Sequence, residues 1–342
     1  AKIVILQTLI NGKKLINKPE IIVEIASTHS GSYSRLIKLL NEAITVKADY
    51  IKFQIFKNKY LCHNSSKYYS GLSKIEISFD KWERIIKKYK NKIKIILEPF
   101  DEQSYIFCKK FKKDIHIKIS SSESDNYNII TDSLKNFEKV FFNISGKKEK
   151  DINKFLEAHK NFKKKLILLY GYQDFPTDLK NLRFKLIKKI NDKGFNVGYA
   201  DHSNTENPLL SYKASFIAVS MGAKYLEKHF TINRKKKFPD FISSFEKKDF
   251  FDYCIFFKSI SNFFDRNNIS VAEIKYTNEM GKHAVAKLNL KKGRRINQND
   301  ILFLRTNKLG LTRKNFFKNT KFKTLKLKRD CKKNEILTNY HV

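Results

Sequence analysis

Short apolar runs alternate with longer amphipathic segments over most of the chain. The runs cover residues 20–26, 50–56, 92–97, 115–119, 139–144, 166–170, 197–200 and 225–232, and they are rich in Ile, Val, Leu and Phe. Runs of this length and composition predict buried β-strands. The segments between them repeat apolar residues at helical spacing; within 35–48, Leu36, Leu40 and Ala43 fall on one face. The pattern therefore predicts eight repeats of a strand followed by a helix.

Eight consecutive repeats of this kind are typical of an α/β protein with a (β/α)8 TIM barrel. The alternative is an open, doubly wound parallel sheet. That fold gives no reason for eight repeats, and the chain has no GxGxxG motif at a strand-to-helix turn. We therefore assign residues 19–264 to a barrel.

The remaining segments have a different pattern. Residues 1–18 contain Asn11 and Gly12 between two short apolar runs, which predicts a hairpin. Residues 265–281 are interpreted as a linker. Residues 282–342 alternate short β-runs with basic turns, one of them at Gly293, and predict a second, small β-rich domain. A domain of this size is expected to bind or cap rather than to catalyse alone.

Composition narrows the class of protein. No apolar run approaches the roughly 20 residues that span a membrane, and the first residues lack a signal-peptide pattern. The four cysteines are far apart, as expected of free thiols in a reducing cytoplasm. The net charge of +36 comes mostly from lysines spread along the whole chain, without an element that concentrates arginine and aromatic residues. We therefore predict a cytoplasmic protein that binds neither nucleic acid nor membrane.

Polar side chains lie at or just after the end of each predicted strand. In a (β/α)8 barrel the carboxyl ends of all strands meet at one mouth, where the chemistry takes place. The residues concerned are Glu24, Lys52, Glu98, Lys118, Asn143, Gln173, His202 and His229. A lysine-rich composition could place one polar residue there by chance, but it does not account for polar residues near the ends of all eight strands.

Two histidines follow the last two predicted strands, which a helix connects. Such a crossover makes the strands parallel neighbours, so His202 and His229 are expected to lie side by side. Two imidazoles can hold a divalent metal and leave positions open for substrate. The alternative is that each histidine is only a partly buried, hydrogen-bonded residue. Four charged neighbours expected at the same rim favour the metal: Asp201, Glu227, Lys228 and Asp240.

Several motifs together resemble those of the sialic acid synthase family. They are VEIASTHSG, DYIKFQ, KISSSE, GYADHS, KYLEKHFT and PDFISS in the barrel, then AKLNLKKG and LFLR near the end. Enzymes of that family condense phosphoenolpyruvate with an N-acylated hexosamine to make nine-carbon keto acids. They end in a type III antifreeze-like domain with a β-clip fold, which residues 282–342 resemble. The motifs agree in order and spacing over nearly the whole chain.

The resemblance implies a role for each matching position. It implies that His202 and His229 are ligands of a divalent metal, Mn²⁺ or alternatively Mg²⁺. It implies that phosphoenolpyruvate contacts Lys52, Lys118, Ser121 and Gln173, and that the sugar contacts Asp240, Arg305 and Phe175. Glu123 is the expected proton-transfer group, and Glu24 is expected to position water or sugar. It also implies a domain-swapped homodimer in which Arg305 enters the active site of the partner chain.

The chain departs from the family pattern around the expected phosphate and sugar. Glu98 stands where Thr is usual, Gln173 and Phe175 replace Asn and Tyr, Ala200 replaces Ser, and Phe241 replaces His. Glu98 could pair with Lys52 or Lys118, join the shell of the metal, or be solvated at the rim. The function therefore stays open between an N-acetylneuraminate synthase that uses N-acetylmannosamine or a relative, a legionaminic- or pseudaminic-type synthase, and a non-catalytic barrel that binds a sugar or an anion.

Overall fold

The structure is a computed structural model that describes residues 18–260, 268–320 and 325–342. The chain divides into two compact units, Ala1–Asp265 and Arg266–Val342. The hairpin predicted for the first residues lies, except for residue 18, outside the described residues. The stretch interpreted as a linker contains a helix, Val271–Met280, whose first turn is closed by a capping box between Ser270 and Glu273.

The first unit is a closed barrel of eight parallel strands, as the alternating pattern predicts. The strands are β1 (Glu20–Glu24), β2 (Tyr50–Ile55), β3 (Lys94–Pro99), β4 (Ile115–Ile119), β5 (Val140–Asn143), β6 (Leu166–Tyr170), β7 (Asn196–Asp201) and β8 (Tyr225–Phe230). Each pairs with the next in chain order, and β8 pairs with β1 to close the cylinder. A short ninth strand, β9 (Ser244–Phe245), adds to the carboxyl end of β8.

Helices connect the strands and cover the outside of the barrel. They are α1 (Tyr33–Thr45), α2 (Asn58–Leu61), α3 (Tyr69–Ile75), α4 (Phe79–Tyr89), α5 (Glu102–Lys109), α6 (Tyr127–Asn136), α7 (Glu149–Ala158), α8 (Phe184–Asp192), α9 (Pro208–Ser220) and α10 (Lys247–Ser259). Two of them, α2 and α3, are short helices in the long connection between β2 and β3, which periodicity does not resolve.

Both faces of the barrel strands are buried, which explains why the strands read as nearly continuous apolar runs. Side chains that face the helices, such as Ile21, Val23 and Ile51, belong to one large core cluster. Those that face the interior form a separate apolar layer. Its members are Ile22, Tyr50, Ile96, Phe141, Ile167, Leu169 and Tyr225. This layer is the floor of the barrel mouth, because the next inward positions towards the carboxyl ends carry charge.

The second unit is small and β-rich. Its strands β10 (Lys282–Ala286) and β12 (Ile301–Arg305) pair antiparallel, as do β11 (Arg295–Ile296) and β13 (Leu325–Lys326). The unit also contains α11 (Val271–Met280) and α12 (Arg313–Thr320), and it has its own apolar core. The antifreeze-like assignment of this unit stays a prediction. Within the described ranges, no helix of either unit has the length and apolar character that a membrane crossing requires.

A buried ion pair joins β7 and β8 on the side that faces the helices. Lys228 Nζ lies 2.6 Å from Asp201 Oδ2, and neither side chain is more than 1% exposed. Asp201 also accepts hydrogen bonds from the hydroxyls of Tyr199 and Ser203, and Ser203 contacts Ser211 of α9. Burial by itself raises the pKa of Asp201, but the Lys228 ammonium and these hydrogen bonds lower it to about 2. The Asp201 carboxylate is therefore ionised at neutral pH. Burial lowers the pKa of Lys228, and the Asp201 charge offsets part of that shift. The sequence analysis expected Asp201 and Lys228 at the same rim as His202 and His229. That expectation is wrong, because both side chains face the helices.

Replacing Lys228 by Met is predicted to destabilise the barrel strongly. The substitution leaves the Asp201 carboxylate buried without its counter-charge, a change that typically costs about 3–5 kcal/mol of unfolding free energy. Urea unfolding followed by tryptophan fluorescence measures the loss, because Trp82 is the single tryptophan and is buried in this unit. Lys248→Met is the control, since it breaks an exposed pair with Asp252 and should leave the unfolding midpoint nearly unchanged. Equal effects of the two substitutions would contradict the prediction.

Candidate active site

Five charged side chains meet inside the carboxyl-terminal mouth of the barrel, above the apolar floor. Lys52 Nζ lies 2.6 Å from Glu98 Oε2 and 3.0 Å from Glu227 Oε1, and it also contacts Glu24. Lys118 Nζ lies 2.8 and 3.1 Å from the two oxygens of Glu227 and 3.5 Å from Glu98 Oε1. We call these five residues the charged cluster. Glu98 and Glu227 each bridge the two lysines.

Strand register explains why residues so distant in sequence meet. Glu24 on β1 is the register partner of Lys52 on β2 and of His229 on β8. All five side chains of the charged cluster are at most 4% exposed. Buried charges are tolerated when they are paired, and each charge of this network has a partner of opposite sign. Glu24 Oε2 contacts Lys52 as an ion pair without a hydrogen bond.

The two lysines keep the central carboxylate ionised. Burial raises the pKa of Glu227, but the Lys118 and Lys52 ammonium groups hold it well below its usual range. Burial lowers the pKa of Lys118, but Glu227 and Glu98 together raise it above its ordinary value. These two shifts favour the charged form of both partners at neutral pH.

The two histidines lie next to the charged cluster, with ring centroids 5.4 Å apart. His202 Nδ1 lies 2.9 Å from the carbonyl oxygen of Tyr172. A carbonyl only accepts, so Nδ1 carries the proton and Nε2 keeps a free lone pair. His229 is buried, and its Nδ1 has no hydrogen-bond partner. Burial lowers the pKa of His202 to about 4 and that of His229 well below its usual range.

This arrangement fits a divalent metal. Metal ligands must be neutral imidazoles, and burial keeps both histidines neutral. Their rings lie at adjacent strand ends, and the carbonyl of Tyr172 orients one of them, as second-shell groups orient metal ligands. Over the described part of the chain, no carboxylate or thiol completes a compact three-residue group with the two histidines. Water or substrate would fill the remaining coordination positions.

Phe175 packs against the two histidines, and Asp240 lies close enough to Lys52 of the charged cluster to be affected by its charge. The ring of Phe175 packs 4.3 Å from that of His202, centroid to centroid, and 6.0 Å from that of His229. Asp240 has a left-handed backbone with φ +64°, and its Oδ2 accepts a hydrogen bond from the Ser27 amide at 3.4 Å. Burial raises the pKa of Asp240, and the amide of Ser27 and the charge of Lys52 offset part of that shift. Asp240 thus links the segment after β8 to the loop after β1.

Three predicted site residues lie on loops and make only local contacts. Glu123 is half-buried and accepts a hydrogen bond from the side chain of Asn126 at 3.1 Å. Ser121 is exposed, and so is Gln173, which lines a separate hollow of about 490 Å³. In the described ranges, no hydrogen bond or ion pair connects these three residues to the two lysines. Arg305 lies in the second unit, exposed at the end of β12 and opposite Lys282 in register.

Two features of the charged cluster go beyond the sequence analysis. Glu227 was expected at the rim only as a charged neighbour of the histidines, although Tyr225, Glu227 and His229 alternate along β8 and all face inward. That alternation is the signal that identifies it. Of the three interpretations of Glu98, the structure confirms the pairing with both lysines. The solvated-rim interpretation is wrong, because Glu98 is only 3% exposed.

The buried histidines predict a pH-dependent stability. In the unfolded chain His202 and His229 take up protons near pH 6.5, whereas in the folded chain they resist protonation until about pH 4 or below. Their contribution to stability is therefore complete above pH 6.5 and is lost as the pH falls towards 4, with a slope of up to about 1.4 kcal/mol per pH unit for each group.

Urea unfolding between pH 7 and 4.5, with a chelator present, tests this expectation. His229→Gln should make the dependence shallower, whereas His63→Gln, at an exposed position, should not. An unchanged slope in His229→Gln would show that its imidazole titrates normally in the fold.

Known proteins share both the sequence pattern and the fold. The model of the NeuB family matches residues 39–264. The chain is 26% identical over 299 residues to the N,N'-diacetyllegionaminic acid synthase of Campylobacter jejuni, covering 81% of this chain and 87% of that protein. It is 23% identical over 357 residues to the N-acetylneuraminate-9-phosphate synthase of Drosophila melanogaster, covering 91% and 93%.

A solved structure extends the likeness to the fold. Spore coat polysaccharide biosynthesis protein E from Chromobacterium violaceum superposes with a TM-score of 0.79 at 17% identity, covering 95% of this chain and 99% of that one. The family match covers most of the barrel, including both histidines and both lysines of the mouth. This chain is a member of the NeuB family.

Proposed function

We propose that this protein is a nonulosonic acid synthase that condenses phosphoenolpyruvate with an N-acylated hexosamine and water and releases phosphate. The observation that carries the proposal is the convergence of two ammonium groups and two neutral imidazoles in one barrel mouth. Two of the relatives are named as synthases of nonulosonic acids, N,N'-diacetyllegionaminic acid and N-acetylneuraminate 9-phosphate, which supports a product of this class.

The lysines suit a substrate with two anionic groups. Phosphoenolpyruvate carries a phosphate and a carboxylate, and Lys52 and Lys118 are charged donors fixed on neighbouring parts of the barrel wall. We assign Ser121 and Gln173 to the outer part of the same binding region. Their loops would have to close over the substrate, because neither residue contacts the lysines directly.

A metal ion would act on the sugar. We propose that His202 and His229 bind Mn²⁺, with Mg²⁺ as the alternative, since Mg²⁺ is bound almost entirely through oxygen atoms. When bound, the ion would act as a Lewis acid and polarise the aldehyde of the open-chain hexosamine. The ring of Phe175 covers His202 and would keep bulk water away from this position.

The remaining steps need proton transfer and an oriented water molecule. The enol carbon of phosphoenolpyruvate bonds to the aldehyde carbon, whose oxygen takes up a proton. Water adds to the adjacent carbon, and the carbon–oxygen bond to phosphate breaks as the keto group forms. Glu24 is held by Lys52 and by the Ala26 amide, 2.6 Å from its Oε1, so it would position the water or the sugar. Glu123 would transfer the proton.

Asp240, Phe175 and Arg305 are assigned to the sugar. Phe175 borders the two histidines, where the aldehyde would lie, and Asp240 is held by the Ser27 amide in the loop after β1. Arg305 is exposed in the second unit, and we propose that it reaches the barrel of a partner chain in a swapped homodimer. N-acetylmannosamine and the hexosamines that lead to legionaminic or pseudaminic acid are the candidate sugars.

Phosphate release tests the reaction. With phosphoenolpyruvate, Mn²⁺ and a panel of N-acyl hexosamines, the protein should release phosphate with at least one sugar and not without sugar. Lys118→Met should lower kcat/KM by about 100-fold or more, because it removes a charge from the phosphoenolpyruvate site.

Direct metal binding separates the roles of the histidines. His229→Ala should abolish Mn²⁺ binding measured by calorimetry, whereas His116→Ala, at a buried position two residues before Lys118, should retain it. Failure to release phosphate with every sugar of the panel would favour the non-catalytic sugar- or anion-binding barrel.

Mixing defective chains tests the swapped dimer. Lys52→Met and Arg305→Ala are each expected to be inactive, but a mixed dimer would contain one intact site. Random reassociation should therefore restore about one quarter of the wild-type activity. Lys52→Met mixed with Lys118→Met is the control and should restore none, because each barrel then carries a defect. Absence of recovery in the first mixture would contradict an intersubunit site.

A further inference from the structure

The lysine at the centre of the charged cluster is enclosed by three carboxylates. Lys52 Nζ donates hydrogen bonds to Glu98 at 2.6 Å and to Glu227 at 3.0 Å. It also forms an ion pair with Glu24. An anionic substrate must therefore compete with these carboxylates for Lys52.

The count of charges points in the same direction. The charged cluster combines three carboxylates with two ammonium groups, which gives a formal charge of −1. The floor beneath the cluster is apolar and supplies no compensating charge. A phosphorylated substrate would therefore enter a buried site that is already negative, where each additional negative charge is costly.

The three carboxylates differ in how firmly they are held. Glu24 accepts a hydrogen bond from the Ala26 amide. Glu227 contacts Lys118 through both oxygens and Lys52 through one. Glu98 has only its two lysine contacts among the described residues, and its 3.5 Å separation from Lys118 is the longest in the charged cluster. Glu98 is therefore the carboxylate that is released most easily.

We propose that Glu98 is a built-in competitor of phosphoenolpyruvate: its carboxylate holds Lys52 and Lys118, and an anionic group of the substrate binds by displacing it. The inference rests on the proposed function for the identity of the substrate. An anion must therefore bind the two ammonium groups more strongly than the Glu98 carboxylate does. Phosphoenolpyruvate, with two anionic groups, displaces Glu98 more readily than pyruvate, which has one.

Binding of phosphoenolpyruvate to wild type and to Glu98→Gln, measured by calorimetry with a chelator and without sugar, tests the proposal. The substitution keeps the shape of the side chain and leaves two carboxylates facing two ammonium groups, so the fold should survive. It should tighten binding of phosphoenolpyruvate by roughly tenfold or more and reduce the preference for phosphoenolpyruvate over pyruvate. Unchanged or weaker binding in Glu98→Gln, or binding undetectable in both proteins, would overturn the proposal.

Glu20→Gln is the matched control. Glu20 lies at the opposite end of the barrel, where its Oε2 accepts a hydrogen bond from the Tyr50 hydroxyl, and its replacement removes the same charge from the chain. It should not change the affinity for phosphoenolpyruvate. An equal gain in Glu20→Gln would show that overall charge is responsible and would overturn the role of Glu98. The assay needs no turnover, so tighter binding in Glu98→Gln would stand even if no sugar supported phosphate release.

Discussion

The barrel mouth depends on one constraint: charges removed from water must be satisfied by one another. Lys52, Lys118 and the three carboxylates around them come from five strands, and none is appreciably exposed. Coulombic attraction between the opposite charges offsets the cost of their desolvation. This constraint fixes the register of the five strands that carry the charges. A shift of one residue would move a charged side chain from the barrel interior into the apolar core between strands and helices.

A second buried ion pair lies between the barrel strands and the surrounding helices. The Lys228–Asp201 pair connects the last two strands on the outer face, while His202 and His229 occupy positions next to it on the inner side. Alternation along a strand sends neighbouring residues to opposite faces. Polar residues that are adjacent in sequence therefore serve different purposes, one structural and one chemical.

The fold was largely predictable from the sequence, because both faces of the barrel strands are buried and helices with one apolar stripe separate them. All eight strands lie where the apolar runs predict them. The proximity of the two histidines was also predictable, because a helical crossover makes β7 and β8 neighbours. The pairing of Glu98 with Lys52 or Lys118 was only one of three alternatives at that stage, and the central position of Glu227 was not predictable, since both depend on register across strands far apart in the chain. The segment KYLEKHF carries charged residues on both faces of its strand, so polarity alone does not indicate which of them face the barrel interior.

The Lys228–Asp201 ion pair holds the strand ends that carry the two histidines, and it lies on the side of the strands that faces the helices. Asp201 precedes His202 directly, Lys228 precedes His229 directly, and Ser203 connects the pair to Ser211 of α9. The spacing of the two imidazoles is thus fixed from behind, through the backbone, by groups under the helical layer. Substitutions on the inner face of α9 would therefore change the spacing of the two imidazoles while every residue that lines the mouth stays the same.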